Sequence, residues 1–490
     1  MKKQKITVLL LLALLTVIGC TDAKSSPDNK TDDGSTATAP ITTETAAQDT
    51  EKLSYAYPEA DYEGYEFVFL NVEPQGWANA LIAPEESTGE SINDALFERN
   101  VRIEDRYHVK ISEYKQGMDS VAAQLRRTVS ANEDTYDVCM LPIHSASGIM
   151  AENYLIDLKS VDSLHLDMPW WDQMVNQSLT IMDKLYMTSG DISLFPFEAT
   201  WGIFFNEDIM RSLDLPLPYD LVKDGKWTLD RLTEYAKEGA LLGTDSAYLP
   251  FSPSGTARYG LCSHHDLPIG LIQGAGCSIV TIENNQPVFH ADEERMINLY
   301  DKIAALTGEK GAYYDWDFGL QVEGYEMFMN GRFMMWSETL GYLSQLRSME
   351  DNFGVVPFPK YDETQESYHS IVATWGTTMT TIPTTASDVT RTGVILDALA
   401  YDSYENLMEP YYNTYLMQKG ARNENSAEML SIIRNTRIIA ADMALGWSSD
   451  LCYAIRDKLS TGTSEILSMI ESQKKNTIEK ANKLLQVIAE

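Results

Sequence analysis

Short apolar strands alternate with amphipathic helices in the first part of the globular chain, and this pattern restricts the possible folds more than any other sequence feature. Strand patterns cover residues 65–70, 109–114 and 135–142. Between them, residues 91–107 and 118–130 carry apolar side chains at helical spacing among charged ones. Strands that alternate with helices in this way form a mainly parallel sheet with helices on its faces. The sequence therefore predicts an α/β fold.

Polar and aromatic side chains follow two of these strands. Glu73 and Trp77 come after the first strand pattern, and His144 and Ser145 come after the third. In open α/β sheets, ligands bind beyond the carboxyl ends of the strands. We therefore expect these four residues to contact a ligand at one edge of the sheet.

The beginning of the chain has the pattern of an export signal. Three lysines precede residues 6–18, which are uncharged and mainly apolar and too few to span a bilayer comfortably. The sequence VIGC at 17–20 resembles the lipobox of bacterial lipoproteins, which implies that Cys20 receives a lipid and becomes the new N-terminus. An ordinary secretory signal with a chance cysteine is the alternative. We predict a lipoprotein signal peptide at 1–19 and a protein held outside the cytoplasm, on the cell membrane, by lipid.

Residues 20–54 are polar and lack Phe, Tyr and Trp. Such a segment buries too little apolar surface to offset the entropy of ordering, so we predict a flexible tether. More than four hundred residues follow, too many for one compact core, which favours two lobes. The formal net charge of −34 disfavours nucleic acid and anionic lipid surfaces as partners.

The cysteines and histidines give no metal-binding pattern. No CxxC pair occurs, and Cys262 and Cys277 could either form a disulfide or remain free thiols. His264, His265 and Asp266 are adjacent, and neighbouring side chains in an extended segment point in opposite directions. We therefore predict neither a metal nor another cofactor.

Several motifs in a specific order give a family resemblance. The sequences YDVCMLP at 136–142, KLYMTSG at 184–190, IFFNEDIM at 203–210 and KWTLDRL at 226–232 are followed by FMNGRFMMWSETLGYLSQL at 328–346. Their order and spacing resemble the family 1 extracellular solute-binding proteins of ABC importers, which are maltose-binding-protein-like. The resemblance covers nearly the whole chain from Tyr65 onward.

This resemblance implies a type II, two-lobed periplasmic-binding-protein-like fold, in which each lobe is a mainly parallel sheet flanked by helices. The ligand would lie in a cleft between the lobes. The implied lobes are 55–197 plus 376–440 and 198–375 plus 441–490. The chain would cross between them near 197–202, 372–377 and 436–444.

The resemblance also implies ligand contacts, and several tryptophans are further candidates. Glu198 and Thr200 lie at the first crossing, next to Ala199, which aligns with an acidic contact of the family. His264 and Asp266 precede the sequence LPIGLIQGAG. The remaining implied contacts are Glu338 and Tyr342 in a pocket loop and the tryptophans at strand ends or crossings: Trp77, Trp201, Trp336, Trp375 and Trp447. Each tryptophan could instead be a core residue, but we expect at least two of them to contact the ligand.

The predicted function is capture of a carbohydrate, an oligosaccharide, for delivery to an ABC importer permease by a lipid-anchored, monomeric binding protein. A non-sugar polar solute is an alternative ligand. A glycoside hydrolase or a structural lipoprotein are rival classes. The sequence contains no GxSxG, HExxH, GxxxxGK[ST] or GxGxxG motif, so we expect no enzyme.

Overall fold

The structure is a computed structural model of the chain. It describes residues 55–248, 255–315, 324–374, 376–408, 410–411 and 424–489. The predicted signal peptide, the tether and Cys20 lie outside the described residues.

The strands are short and mostly buried. In chain order they are β1 Tyr65–Val72, β2 Val109–Gln116, β3 Val138–Pro142, β4 Trp201–Asn206, β5 Tyr259–Ser263, β6 Val280–Glu283, β7 Gln286–Phe289, β8 Tyr313–Asp315, β9 Phe333–Thr339, β10 Phe353–Val356, β11 Ser370–Ile371, β12 Thr378–Thr381 and β13 Arg437–Ile438.

The helices separate most of these strands. They are α1 Ser91–Tyr107, α2 Val121–Ser130, α3 Ala146–Ala151, α4 Gln173–Leu179, α5 Phe195–Glu198, α6 Glu207–Ser212, α7 Tyr219–Lys223, α8 Leu229–Gly239, α9 Leu267–Gly274, α10 Glu294–Thr307, α11 Gly324–Met329, α12 Val389–Asn406, α13 Glu424–Asn435, α14 Ala441–Ala444, α15 Ser449–Leu459 and α16 Leu467–Ala489.

Local sequence signals explain where some of these helices begin. The side chain of Asn206 accepts a hydrogen bond from the backbone N–H of Ile209 at 2.9 Å and caps α6. Thr228 caps α8 in the same way through the N–H of Arg231. Both side chains satisfy a backbone donor that the first helical turn leaves without a partner. These caps fix the points at which the chain leaves β4 and enters α8.

Two larger sheets organise the fold. The four-stranded sheet has the order β12-β3-β1-β2, and the five-stranded sheet has the order β10-β4-β9-β5-β8. In the first sheet β12 runs against the other strands, and in the second β4 does so. Both reversed strands enter their sheet from a segment that passes between the sheets, whereas parallel neighbours need a crossover connection. The predicted α/β class with mainly parallel sheets is confirmed.

Three chain segments run side by side between the two sheets. Thr200 pairs with Val372 in antiparallel fashion, and the N–H of Ala373 donates to the carbonyl of Ala199 at 2.9 Å. On the other side, β11 pairs in parallel with β13. Thr200, Val372 and β13 fall within the ranges that the resemblance implies for the crossings, whereas β11 ends just before the second range. Backbone hydrogen bonds join the three segments into a narrow connecting ribbon.

Helix α13, which the expected boundaries assign to the first lobe, contacts the five-stranded sheet. Helix α13 packs on β10 at the edge of the five-stranded sheet, and its residues Leu430 and Ile433 join an apolar cluster with Phe353. The expected lobe of 55–197 plus 376–440 would instead place this helix with the four-stranded sheet. An exposed sheet edge and an apolar helix face bury each other, which explains the position of the helix. The lobe boundaries stay a prediction.

Candidate functional site

A cleft lies at the carboxyl ends of β1, β5 and β9. It consists of three cavities with volumes of about 310, 140 and 30 Å³ that share wall residues. Trp77 lines the first two cavities, and Trp201 and Ala373 line the last two. We call these three cavities together the cleft. Its position matches the strand ends at which ligands of α/β folds bind.

Aromatic rings form much of the cleft wall. Trp77 is half-buried, and its ring lies 5.4 Å from that of Phe195. Trp201, the first residue of β4, contacts His264 edge-on at 6.1 Å between ring centroids. Tyr342 lines the middle cavity with both tryptophans. Indole faces in a cleft offer apolar area at a small cost in side-chain entropy.

A buried carboxyl group lies at the wall of the largest of the three cleft cavities. Glu198 accepts hydrogen bonds from the backbone N–H of Asn79 and from the hydroxyl group of Tyr411. Burial raises the pKa of Glu198 to about 7, because desolvation of the charged form outweighs these two hydrogen bonds. The carboxyl group therefore exchanges a proton near neutral pH.

Further polar groups line the other two cavities. Glu338 is buried at the end of β9, and its carboxylate accepts the N–H of Thr339 at 2.8 Å. Nδ1 of His264 lies 3.7 Å from Oδ2 of Asp266, whose other oxygen accepts a hydrogen bond from Arg456 at 2.7 Å. The cleft thus combines carboxylates, an imidazole and ring faces, which can bind a ligand that has both hydroxyl groups and apolar surface.

The structure brings together half of the residues proposed from the sequence. Those that line the cleft are Trp77, Glu198, Trp201, His264, Asp266, Glu338 and Tyr342. Their contact with a ligand stays a prediction.

The structure places Trp336 in the core, whereas the sequence interpretation places it at a strand end near the ligand. Its side chain is 1% exposed and packs between the rings of Phe204 and Phe328, at 5.5 and 5.7 Å between centroids. It lies within β9 rather than after it, and this strand is buried along its whole length. Trp336 is therefore a core residue of the five-stranded sheet and not part of the cleft wall.

Four other candidates lie outside the cleft wall as the described residues form it. Thr200 is buried in the connecting ribbon, where its hydroxyl group donates to the carbonyl of Pro196 at 2.8 Å. Glu73 is exposed just after β1. His144 and Ser145 form a 3-10 turn after β3, where Nε2 of His144 lies 3.9 Å from Asp119. Thr200 has a structural role in this arrangement.

Of the two remaining tryptophans, one lines another cavity and the other lies outside the described residues. Trp447 is 2% exposed and lines a separate cavity of about 300 Å³, so it is not part of the cleft wall. It precedes α15, on the side of the connecting ribbon formed by β13. Trp375 lies outside the described residues.

Sequence reasoning missed several residues of the cleft wall. Lys115 and Asn79 line the largest of the three cleft cavities, and Gln273 and Tyr453 line the smallest. Lys115 lies near the end of β2, which is parallel to β1, so the rule that strand ends share an edge could have identified it. Tyr453 lies within α15, where no sequence signal distinguishes it from a packing residue.

Possible metal ligands, cysteines and long apolar helices also bear on what the protein can do. Within the described ranges, no cluster of three or more His, Cys, Asp and Glu side chains is arranged to hold a metal ion. Cys262 and Cys277 are both buried and do not form a disulfide with each other. Among the helices of these same ranges, none is long and apolar enough to cross a membrane.

Comparison with known proteins gives matches at the level of structure. No protein-family model matches the sequence. No curated protein matches it either. One similar structure is an ABC substrate-binding protein from Listeria monocytogenes, solved with cycloalternan. It is 12% identical to this chain with a TM-score of 0.53, and the match covers 87% of this chain and 99% of that chain.

Two further solved structures are similar. The GacH receptor of Streptomyces glaucescens is 13% identical with a TM-score of 0.52, and the match covers 86% of this chain and 99% of that chain. A family 1 extracellular solute-binding protein from Bifidobacterium longum subsp. infantis is 13% identical with a TM-score of 0.51. This match covers 87% of this chain and 99% of that chain. The protein has the two-lobed α/β fold of the maltose-binding-protein-like solute-binding proteins of ABC importers.

Proposed function

We propose that the protein is a lipid-anchored receptor that binds a carbohydrate, an oligosaccharide, in the cleft and delivers it to the permease of an ABC importer. The observation that carries this proposal is the combination in one cleft of two indole rings, Trp77 and Trp201, with the buried carboxyl groups of Glu198 and Glu338. The protein would act as a monomer.

Sugar chemistry matches this combination. A pyranose ring has apolar C–H faces, which pack on indole planes, and hydroxyl groups, which hydrogen-bond to carboxylates and amides. Each hydroxyl group left without a partner in a closed site costs about 1–3 kcal/mol. The polar residues of the cleft would therefore select the ligand, and the rings would supply most of the buried area.

The fold relatives support the same ligand class. The GacH receptor was solved with acarbose and with an acarbose homolog, and the Listeria protein with cycloalternan.

A thermal-shift screen followed by calorimetry tests the proposal. Linear and cyclic gluco-oligosaccharides, acarbose, cycloalternan, polyols and small peptides form the library. A ligand that binds only the folded protein adds about 2.7 kcal/mol of stability at a hundred times its dissociation constant, so it raises the melting temperature. A response to glycans supports the proposal. A response confined to peptides or other non-sugar solutes supports the alternative ligand class and contradicts the proposed one.

A glycoside hydrolase is the rival that one observation favours. The pKa of Glu198, about 7, lies in the range that a general acid requires. A hydrolase also needs a second carboxylate on the opposite side of the scissile bond. We expect no release of reducing sugar when the protein is incubated with any glycan that it binds. Release that Glu198→Gln abolishes would instead establish the enzyme.

Lipid anchoring has its own test. In a bacterial expression host, the wild-type chain should incorporate radiolabelled palmitate and sediment with membranes. The Cys20→Ser variant should do neither, because the thiol that carries the diacylglycerol is gone. Equal labelling of both proteins would contradict the anchor while leaving the ligand proposal intact.

A further inference from the structure

A second cavity lies against the connecting ribbon and shares only Gln273 with the cleft wall. It has a volume of about 300 Å³, and its walls come from α4 and the residues after it, from residues 273–282, and from residues 438–441 with His369 and Trp447. We call it the second cavity. A volume of this size is at the lower end of that found for small-molecule sites.

Three buried polar atoms of residues that line the second cavity, including Nδ1 of His369, have no partner, and two of them belong to side chains that are almost fully buried. Oε1 of Gln273 and Nε1 of Trp447 make no hydrogen bond, and the two residues are 4% and 2% exposed. Buried polar atoms in folded proteins are nearly always hydrogen-bonded, so unpaired ones at a cavity wall indicate a missing partner. Of the Gln273 and Trp447 atoms, the first accepts hydrogen bonds and the second donates them.

The second cavity has an uncharged lining of mixed polar and apolar residues in a very acidic protein. Among the described residues that line it, none is Asp, Glu, Lys or Arg, although the chain has a net charge of −34. Burial lowers the pKa of His369, the one titratable imidazole of the wall, so its ring is neutral at physiological pH. Ser178, Thr180 and Thr281 add hydroxyl groups. A charged ligand would lose its hydration here without gaining an opposite charge.

We propose that the second cavity binds a small, uncharged, polyhydroxylated molecule of the size of a monosaccharide or a short polyol. A hydroxyl group both donates and accepts, so one such group can bond to the Gln273 oxygen and another to the Trp447 indole nitrogen. This site goes beyond the function proposed for the cleft, since its residues other than Gln273, which also lines the smallest cleft cavity, are different and its ligand is smaller.

The second cavity has a built-in reporter in Cys277. This free thiol lines the cavity and is 9% exposed, so a bound molecule would shield it from a small thiol reagent. Cys452 is also free, is 3% exposed and does not line the cavity, which makes it an internal control.

The test measures the rate at which methyl methanethiosulfonate modifies Cys277, followed by peptide mass spectrometry of the mature chain. Glycerol, myo-inositol and glucose serve as probes. For a probe that binds, the rate should fall saturably, by about tenfold at ten times the dissociation constant, while Cys452 is unaffected. Absence of saturable protection by all three probes would overturn the proposal and leave water as the occupant.

Two substitutions locate the bound probe. Trp447→Phe keeps the ring shape but removes the N–H donor, so the dissociation constant should rise about tenfold. Ser278→Leu places a larger apolar side chain in the second cavity and should abolish protection. Trp77→Ala, in the cleft, should keep it, which separates failure of this site from failure of the proposed function. Protection that survives both Trp447→Phe and Ser278→Leu would contradict the assignment, and Trp447→Phe alone decides if the other variant does not fold.

Discussion

At the scale of single residues, burial gives two side chains of the cleft properties that their type alone does not predict. Glu198 would be an ordinary surface carboxylate in a loop, but in this fold its pKa is raised to about 7 by desolvation. Trp201 is 7% exposed, yet it still contributes to the wall of two cavities. The consequences for stability and for binding can be measured separately.

Glu198 should make the stability of the protein depend on pH. Its pKa is 4.5 in a solvated chain and about 7 in the folded protein, so the folded state binds more protons between these values. The free energy of unfolding should therefore fall as pH rises from 4.5 to about 7, by about 3 kcal/mol from this group. Urea unfolding of the wild type and of Glu198→Gln over pH 4.5–8 tests this. The difference between the two proteins should change by that amount, whereas parallel curves would contradict the raised pKa.

The tryptophans of the cleft should carry much of the ligand affinity. Trp77→Ala and Trp201→Ala should each weaken glycan binding by about 2 kcal/mol or more, about thirtyfold in the dissociation constant, because buried aromatic anchors dominate binding energy. Calorimetry with the glycan that gives the largest thermal shift measures the effect.

The matched control is Trp227→Phe, since Trp227 is fully buried and donates to the carbonyl of Pro357 at 2.9 Å outside the cleft. This variant should lower the melting temperature and leave the dissociation constant unchanged. Equal losses of affinity in all three variants would show that the rings act through general destabilisation.

At the scale of elements, the cleft depends on a close approach between two loops. The loop after β1 carries Trp77, and Gly341 lies in the 3-10 helix after β9, where a Cβ atom would overlap with the carbonyl oxygen of Trp77. Glycine is thus required there by space rather than by backbone conformation. The two loops come from different sheets, so this contact fixes how the indole faces the rest of the cleft.

Gly341→Ala should displace the Trp77 loop. The added methyl group overpacks the contact, so we expect a loss of about 1–3 kcal/mol in the free energy of unfolding and weaker glycan binding. Gly76→Ala is the control in the same loop, because a Cβ there meets nothing within 4 Å. It should leave stability unchanged or raise it slightly, by about 0.4–1 kcal/mol. Equal effects of the two substitutions would contradict the steric explanation.

The elements also show which features of the fold and the site can be predicted from sequence patterns. The β1-α1-β2-α2-β3 order follows from periodicity alone, and of the residues that the strand-end rule selects, Trp77 lines the cleft whereas Glu73, His144 and Ser145 do not. Trp336 could not be assigned in this way, because β9 is buried on both faces and so has no alternation to show which way a side chain points. The position of α13 depends on contacts with β10, which lies about seventy residues earlier in the chain. Neither feature has a local signal.

At the scale of the whole molecule, three adjacent extended segments join the two sheets. Thr200, Val372 and the β11–β13 pair form this connecting ribbon. Hinge motion in two-lobed binding proteins takes place in a few residues of such segments, which absorb the change in backbone angles. A ligand that contacts both lobes only when they approach each other shifts the population toward the closed form.

Small-angle X-ray scattering should therefore detect ligand binding as a change of shape. With a saturating glycan identified by calorimetry, the radius of gyration should decrease, because closure brings the lobes together while their internal structure is kept. The double variant Trp77→Ala, Trp201→Ala, measured with the same glycan concentration, should show no decrease. Since a shift from mostly open to mostly closed requires a difference of about 5.5 kcal/mol in binding free energy between the two forms, a weak ligand would produce only a partial change. An unchanged radius at full occupancy would mean that the cleft binds its ligand without closing, and presentation of a closed form to a permease would then be excluded.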